Sequence, residues 1–349
     1  MVKTLSAGHM GRGLFAVKDM PAGTRILSET PLIVVPGDPK ERTLAENIAA
    51  FCKAVLRLDS NTHHILLIIS RNTEYDSQTS EAAQNWFIQK LPKDIYVLEW
   101  CVETFSKAFA FYQRHAVGLP RPGASGFFYQ HGAINHSCSP NAHAYYDTVK
   151  ERHQVHLVRD VKAGNQIFVS YISGIELPRA YRHAEILLEG HKFVCGCTLC
   201  TSQEADVVVQ GVPALYKGLS GYLEKANVRA HQTKPTFIPR TETMQALASA
   251  EALLSLLRHP SVDVIGRPLS LALQFCIWFH RDLGNIKAAA AYARERLALH
   301  VRLYGFEAEN FLPHDDATTK LRIIEREVSR MESGAPWGFP WSSVELREV

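Results

Sequence analysis

Three cysteines lie within six residues of one another, at Cys195, Cys197 and Cys200. Thiolates at this density suit tetrahedral zinc, which binds sulfur at about 2.3 Å. The chain has seven cysteines, and an odd number in a long chain with no apparent export signal favours reduced thiols over a disulfide framework. The spacing therefore predicts a structural zinc site with three of its four ligands in one loop. Buried free cysteines are the alternative.

Two other motifs carry polar groups that can hold a ligand. Residues 135–141 read NHSCSPN and residues 170–172 read SYI. The Asn135 amide and the Tyr171 hydroxyl can each donate and accept hydrogen bonds. Read singly, Asn135 is a turn former, His136 a core histidine and Tyr171 a strand tyrosine, so the motifs gain meaning only in combination. The glycines of MGRGLFA, residues 10–16, lack the third glycine of a dinucleotide fingerprint and alone predict only a strand entry.

Short strands separated by turns must position these groups. Strand-like segments occupy residues 11–17 and 25–35, with a break at Pro31, and return at residues 142–148, 153–157 and 166–172. The turn DMPAGTRI of residues 19–26 is echoed by DVKAGNQI at residues 160–167. In each turn the glycine predicts a positive φ, and two similar hairpins explain the echo better than a repeat architecture.

Apolar residues at spacings of three and four predict helices between the two groups of strands. The first face consists of Leu44, Ile48, Phe51, Val55 and Leu58. The second consists of Ile95, Leu98, Val102, Phe105, Phe109 and Tyr112. The polar residues 71–80 between them predict a loop. The aromatic stripe is predicted to lie in the core rather than on a substrate surface, and the remaining cysteines are predicted to lie in the core as well. These residues are Phe105, Phe109, Phe111 and Tyr112, and Cys52, Cys101 and Cys276.

Helical periodicity resumes beyond residue 200. The predicted faces are Leu247, Ala250, Leu254 and Leu257; Ile286, Ala290, Ala293, Leu297, Val301 and Tyr304; and Leu321, Ile324, Val328 and Met331. The almost wholly apolar residues 271–280 predict a helix buried on most sides. Residues 271–283 and 286–304 resemble one tetratricopeptide-type hairpin, with a plain helical bundle as the alternative. The aromatic tail at residues 336–341 predicts docking on the body of the protein.

In this order and spacing the motifs resemble a SET-domain protein lysine methyltransferase of the SMYD-like branch. The similarity is carried by MGRGLFA, by ETPLI at residues 29–33, by NHSCSPN, by Tyr171 and by the cysteine cluster, and it covers residues 6–202. Residues 40–120 contain only Cys52 and Cys101, so the MYND zinc finger of the best-known SMYD proteins has no counterpart there. The resemblance is to finger-free, fungal-type SET proteins with a helical C-terminal region.

The resemblance implies S-adenosylmethionine as the cofactor, a structural zinc ion, and Tyr171 as the catalytic residue that lines the lysine channel. The cofactor-binding residues that it implies are Met10, Gly11, Arg12, Asn135, His136, Tyr171, His191 and Phe193. It supplies Cys138 as the fourth zinc ligand beside Cys195, Cys197 and Cys200, with His191 the weaker choice. His191 departs from the family, where this position is often aromatic, and a histidine that reaches the amine would make activity sensitive to pH.

The resemblance also implies an α+β fold, a SET-domain β-fold with a knot-like core. We expect the SET domain in residues 1–40 and 119–182, a helical insertion in 41–118, a zinc-binding post-SET segment in 183–203 and an all-helical C-terminal domain in 204–349.

Charge and hydropathy limit the classes of binding partner that the sequence favours. Lysine and arginine number 38 against 35 aspartates and glutamates, and the net charge of +3 gives no electrostatic case for nucleic-acid binding. The longest aliphatic run is far below the roughly 20 residues of a membrane span. We expect a cytoplasmic or nuclear protein that acts on a lysine-containing protein segment, without direct nucleic-acid or membrane partners.

The leading hypothesis is an S-adenosylmethionine-dependent protein lysine N-methyltransferase whose substrate is a histone or a non-histone protein. The alternative is a catalytically idle SET-like adaptor that binds partners through the helical C-terminal region, and His191 is the feature that favours it. A zinc module that binds nucleic acid is a third reading, disfavoured by the balanced charge. The degree of methylation and the oligomeric state do not follow from the sequence.

Overall fold

The computed structural model of this 349-residue chain describes residues 1–90, 95–119, 123–148, 150–230 and 238–305, together with Ser329. Its strands are β1 (Val2–Ser6), β2 (Arg12–Ala16), β3 (Arg25–Glu29), β4 (Ile33–Val35), β5 (Ala116–Gly118), β6 (Ser125–Phe127), β7 (Asn135–His136), β8 (Ala142–Asp147), β9 (Arg152–Leu157) and β10 (Gln166–Val169). Its helices are α1 (Leu44–Val55), α2 (Ser60–Ser70), α3 (Ser77–Ile88), α4 (Ile95–His115), α5 (Arg179–Leu188), α6 (Thr198–Thr201), α7 (Gln203–Val209), α8 (Val212–Ala230), α9 (Arg240–Leu257), α10 (Arg267–Asp282) and α11 (Ile286–Tyr304). The predicted face at positions 321, 324, 328 and 331 and the tail at 336–341 lie outside the described residues.

The described strands form small sheets in the orders β1-β2-β10-β7, β3-β9-β8 and β4-β6-β5. In the first sheet β10 pairs antiparallel with β2 and parallel with β7, which sets Asn135 opposite Phe168 and His136 opposite Val169. The core beneath these strands includes Leu14, Ile134, Leu157, Ile167 and Val169. Because β7 and β10 are neighbours, the NHSCSPN and SYI motifs lie side by side.

Strand β10 ends at Val169, three residues before the end of the predicted strand at 172. The Ser170 hydroxyl donates to the Ile172 carbonyl at 2.7 Å and accepts from the Ile172 N–H at 3.2 Å. A serine that bonds the neighbouring backbone competes with strand pairing. Tyr171 therefore lies on a turn, free of the sheet ladder.

The two echoed turns pair with each other. Gly23 and Gly164 both have φ of +84°, which confirms the predicted left-handed conformation. Met20 and Val161 form an antiparallel bridge between the turns. The aspartate of each turn accepts a backbone N–H of the other at 2.9 Å, Asp19 from Ala163 and Asp160 from Ala22. Their similarity thus reflects a reciprocal contact that joins the start of the domain to its end.

Helices α1 to α4 lie between the strand groups and share one core with β4 and β6. The predicted aromatic stripe Phe105, Phe109, Phe111 and Tyr112 is buried in that core, as are Cys52 and Cys101. The loop predicted for residues 71–80 is wrong at its end, because α3 begins at Ser77. Asp76 caps this helix by accepting the Thr79 N–H at 2.7 Å, and Thr79, Ala83 and Phe87 form its buried face.

The C-terminal helices share a further core with Cys138, Ile172 and Cys195. The predicted burial of residues 271–280 is confirmed for most of the segment, since α10 buries Leu273, Phe275, Cys276 and Phe279 almost completely. The predicted helix α11 is confirmed, but in its second half Arg296, Leu299 and Leu303 are buried while Leu297 and Val301 are only partly buried. There the helix meets the second sheet, where the Tyr145 hydroxyl donates to the Tyr304 carbonyl at 3.1 Å. Among the described helices, none has the length and apolar character that crossing a bilayer requires.

Candidate functional site

Strands β2 and β7 bring the glycine segment to Asn135. The Asn135 Nδ2 donates to the Arg12 carbonyl at 2.8 Å, and its Oδ1 accepts no hydrogen bond from the described residues. Gly11 has φ of +75°, a conformation that glycine adopts without steric cost. Met10 and Gly11 thereby form an exposed turn immediately before β2. One side of the Asn135 amide is fixed to the backbone, and the other is available to a ligand.

His136 links the ligand side of the site to the cysteines. Its Nδ1 accepts the backbone N–H of Tyr171 at 2.9 Å. A neutral imidazole that accepts at Nδ1 carries its proton on Nε2, and this nitrogen lies 3.2 Å from the Cys138 Sγ. The ring is therefore held at both nitrogens, which fixes its orientation.

The Tyr171 hydroxyl is held by a backbone carbonyl. It donates to the Ile134 carbonyl at 2.5 Å. Burial raises the pKa of Tyr171 to about 12, so the phenol is neutral at physiological pH. Because its proton is committed to Ile134, the oxygen presents its lone pairs to any donor that enters the site.

Three aromatic rings, those of His136, His191 and Phe193, lie near the ring of Tyr171. The His191 ring centroid lies 4.8 Å from that of Tyr171, and the Phe193 centroid lies 5.8 Å from that of His136. Phe193 keeps 38% of its surface exposed, so an aromatic face remains open to solvent. Burial, with a smaller electrostatic effect of His136, lowers the pKa of His191 and favours its neutral form. The structure therefore brings together His136, Tyr171, His191 and Phe193, four of the residues that the resemblance assigns to the cofactor.

The four cysteines Cys138, Cys195, Cys197 and Cys200 form one cluster, and their Sγ atoms all lie within 4.8 Å of one another. Tetrahedral zinc with Zn–S bonds of 2.3 Å requires S–S separations of about 3.8 Å, and Cys138 and Cys200 are 3.5 Å apart. His191 is not part of this group. Hydrogen bonding between Cys138 and Cys195 raises the pKa of the Cys138 thiol and lowers the pKa of the Cys195 thiol. The geometry and the donor set fit zinc.

Two residues next to the site were given no role by sequence reasoning. The Glu29 carboxylate accepts the backbone N–H groups of Gln130 and His131, at 3.0 Å and 2.9 Å, just before β7. Glu29 belongs to the ETPLI segment, but nothing in its neighbours along the chain indicates this contact. Arg182, on α5, is fully buried with its guanidinium against Cys200. No local pattern signals a buried arginine, because a charged residue normally predicts a solvated position.

Comparison with known proteins identifies the strand region. Residues 11–172 match the sequence model of the family described as SET domain. These residues form a SET domain. The match begins at Gly11 and ends at Ile172, so it includes the NHSCSPN motif and Tyr171, while Cys195, Cys197 and Cys200 follow it. The SET domain is interrupted by helices α1 to α4.

Relatives of the SET domain carry lysine methyltransferase names. The histone-lysine N-methyltransferase set5 of Schizosaccharomyces pombe is 25% identical over 206 residues, which cover 59% of this chain and 52% of that protein. The protein-lysine N-trimethyltransferase SMYD5 of Homo sapiens is 37% identical over 84 residues, covering 24% of this chain and 20% of that protein. The chain thus spans about half, or less, of the length of these relatives.

A solved structure, the SET domain of LSMT bound to lysine and AdoHcy, aligns with 95% of this chain and 88% of its own length. The identity is 14% and the TM-score is 0.34.

Proposed function

We propose that this protein is an S-adenosylmethionine-dependent protein lysine N-methyltransferase with a structural zinc site. The single observation that carries the proposal is the assembly of Asn135, His136, Tyr171, His191 and Phe193 around one partly open site in a SET domain. These residues come from separate parts of the chain and have the donor, acceptor and aromatic groups that the reaction needs. The names of the relatives support the same activity.

The cofactor site comprises the exposed turn before β2, the Asn135 amide and the aromatic faces of His136 and Phe193. The free Oδ1 of Asn135 can accept the α-ammonium group of a zwitterionic ligand. Phe193 offers a partly exposed ring against which adenine can stack. Met10, Gly11 and Arg12 contribute backbone at the same edge, where glycine permits close approach. When bound, S-adenosylmethionine supplies a methyl group on a sulfonium that accepts an electron pair as the methyl departs.

The substrate lysine must present a neutral amine, although its unperturbed pKa is about 10.4. A dry site lined by the rings of Tyr171 and His191 disfavours the ammonium form. Neutral His191 adds no positive charge there, and the Tyr171 oxygen can accept an N–H and hold the nitrogen lone pair in line with the methyl group. Tyr171 orients the amine without acting as a base, and the proton released from the methylated amine goes to solvent.

The zinc ion would be held by Cys138, Cys195, Cys197 and Cys200. Cys138 belongs to the NHSCSPN segment, and the other three follow α5. His136 contacts both Tyr171 and Cys138. A metal bound to Cys138 would therefore help to fix the position of Tyr171 through the His136 ring. Zinc thus has a structural role.

The proposed substrate is a lysine-containing segment of a histone or non-histone protein. The cofactor and the peptide would enter opposite faces of the SET domain, and the C-terminal helices would form one wall of the peptide cleft. Histone and non-histone substrates stay equal candidates, and we propose a cytoplasmic or nuclear location.

The test is S-adenosylmethionine binding by calorimetry on the zinc-loaded chain. Wild-type protein should bind in the micromolar range, and Asn135→Ala should abolish binding. Asn61→Ala, the same chemical change at an exposed position of α2, should bind as wild type. Folded, zinc-loaded protein that binds no cofactor would exclude the enzyme and leave the adaptor hypothesis.

A further inference from the structure

Arg182 is the largest completely buried side chain among the described residues, with 0% of its surface exposed. A guanidinium stays protonated in proteins and cannot avoid burial by losing its charge. Burying an uncompensated charge is strongly unfavourable, so a counter-charge is expected beside it. Within the described part of the chain, no carboxylate forms an ion pair with Arg182.

The contacts of the guanidinium identify the compensating group. Its Nη1 donates to the Leu177 carbonyl. Its Nη2 lies 3.3 Å from the Leu199 carbonyl and 3.4 Å from the Cys200 Sγ. Carbonyls carry only partial charge, whereas a cysteine sulfur can carry a full negative charge. Among its described contacts, the cysteine cluster is therefore the one source of a counter-ion for Arg182.

The cluster needs such a cation. Four thiolates around one Zn²⁺ leave a net charge of −2, and this charge would lie in the same apolar core as Ile186, Leu199 and Val209. One fixed guanidinium reduces the net charge to −1 without adding a ligand. In a low-dielectric core that compensation favours the thiolates, and hence metal, over protons.

We propose that Arg182 is a charge-compensating, positioning residue of the four-cysteine zinc site, and that its guanidinium raises the affinity of the cluster for Zn²⁺. The inference deepens the proposed zinc site and rests on it, but it is independent of methyl transfer. If Arg182 only held the Leu177 and Leu199 carbonyls together, replacing it would destabilise the zinc-loaded and metal-free proteins equally.

Zinc affinity, measured by competition with a chromophoric chelator, separates these roles. Arg182→Gln keeps hydrogen-bond donors but removes the charge, and we expect its zinc affinity to fall on the order of 10- to 100-fold. Arg182→Lys keeps the charge and should bind within about tenfold of wild type. Arg179→Met removes a cation of α5 that is exposed and bonds the Cys200 carbonyl rather than a sulfur, and it should bind as wild type. Cobalt(II) loading should give the thiolate charge-transfer spectrum of wild type in every variant that folds.

Each outcome is decisive. Equal zinc affinity in Arg182→Gln and wild type, with a matching loss of thermal stability in the metal-free and zinc-loaded forms, would overturn the inference. If Arg182→Gln does not fold, Arg182→Lys decides the question, since a loss of more than tenfold there would assign the effect to geometry and not to charge. Wild-type protein that binds no zinc would overturn the proposed zinc site itself, while S-adenosylmethionine binding would still test the enzyme.

Discussion

The Tyr171 hydroxyl combines two properties that methyl transfer requires. Its bond to the Ile134 carbonyl fixes the direction of the O–H, and burial keeps the phenol neutral. An oxygen that has already committed its proton can only accept from an incoming amine. In the proposed reaction the hydroxyl would therefore select the geometry in which the lysine lone pair points away from it.

The Tyr171→Phe variant tests this role. We expect the methyl-transfer rate to fall on the order of 100-fold, because the amine loses its orienting acceptor. Cofactor affinity should change less than about threefold, since the ring and its packing remain. The measurement is single-turnover methyl transfer to a substrate found by proteome screening, together with calorimetry.

Tyr181→Phe is the matched control, because Tyr181 is exposed on α5. Its rate should equal that of wild type. A Tyr171→Phe enzyme that keeps full activity would show that the phenol is only a strand-end packing residue.

His191 shows what one substituted ring changes. It lies against Tyr171, where the family often has an aromatic residue, and its pKa is lowered by burial. The neutral ring can therefore line the channel much as an aromatic does. The structure places His191 beside Tyr171 and outside the four-cysteine cluster.

At the scale of elements, the turn before β7 determines where Asn135 lies. The 3₁₀ turn His131–Ala133 is held by Glu29 at the end of β3, through the N–H groups of Gln130 and His131. Burial raises the pKa of Glu29, although these hydrogen bonds oppose the shift. One carboxylate thereby connects the first group of strands to the turn that precedes Asn135.

The Glu29→Gln variant should weaken this connection. A glutamine amide has one acceptor oxygen in place of two, so one backbone N–H loses its partner. We expect the free energy of unfolding to fall by about 1–3 kcal/mol, measured by urea denaturation, with a parallel loss of S-adenosylmethionine affinity. Glu99→Gln, at an exposed position of α4, should change neither quantity. Unchanged stability and affinity in Glu29→Gln would remove Glu29 from the positioning of Asn135.

At the scale of the whole molecule, the cysteine cluster belongs to the same core as the C-terminal helices. Cys138, Cys195 and Cys200 pack in one apolar cluster with Leu253 and Phe275. Any metal bound there would stabilise two regions of the chain at once. Metal removal is therefore expected to affect more than the post-SET segment.

Chelation of the zinc-loaded protein should lower its thermal midpoint. A ligand present at 1,000 times its dissociation constant contributes about 4 kcal/mol of stability, and this contribution is lost on removal. Zinc should restore the midpoint and magnesium should not, because thiolates favour the softer ion. Metal analysis should find one zinc per chain in wild type and in Cys101→Ala, but less in Cys197→Ser. A chelator-resistant midpoint in a protein that contains no zinc would contradict the prediction.

Buried histidines make the stability of the fold depend on pH. Burial lowers the pKa of His131 to about 4 and that of His153 to about 2, with smaller effects from neighbouring histidines. Neither ring nitrogen of His153 has a hydrogen-bond partner among the described residues. The titratable groups that act on these rings are also histidines: His115 lowers the pKa of His131, and His131 and His143 lower that of His153. The folded state therefore holds both rings neutral.

The free energy of unfolding should decrease as the pH falls below about 6.5. In that range the unfolded chain binds protons at these histidines, whereas the folded chain does not, because the folded-state pKa values are lower. Above that pH the contribution is fully present. Each group costs about 1.4 kcal/mol per pH unit, so the two together would remove up to about 4 kcal/mol between pH 7 and pH 5. The measurement is urea denaturation across this range. His64→Gln, at an exposed position, should keep the wild-type slope, and a flat profile would contradict the prediction.

The sequence by itself determined the features that depend on neighbouring residues. Gly23 and Gly164 predicted left-handed turns because a positive φ is a property of one residue and its peptide groups. The spacing from Cys195 to Cys200 predicted a compact ligand loop. Periodic apolar residues predicted most of the buried faces of α1, α4 and α9, and the almost wholly apolar composition of residues 271–280 predicted the burial of α10. The resemblance of five motifs to one family then predicted the SET domain.

The tertiary structure alone decided which distant groups meet. Cys138 and Cys200 are 62 positions apart in the chain, and Glu29 and His131 are 102 apart, so no local preference could bring them together. The buried face of α11 depends on the sheet against which it packs, and the burial of Arg182 depends on sulfurs that only the closed fold places beside it. Such contacts are set by chain closure and packing, which act between elements and leave no periodic trace in the sequence.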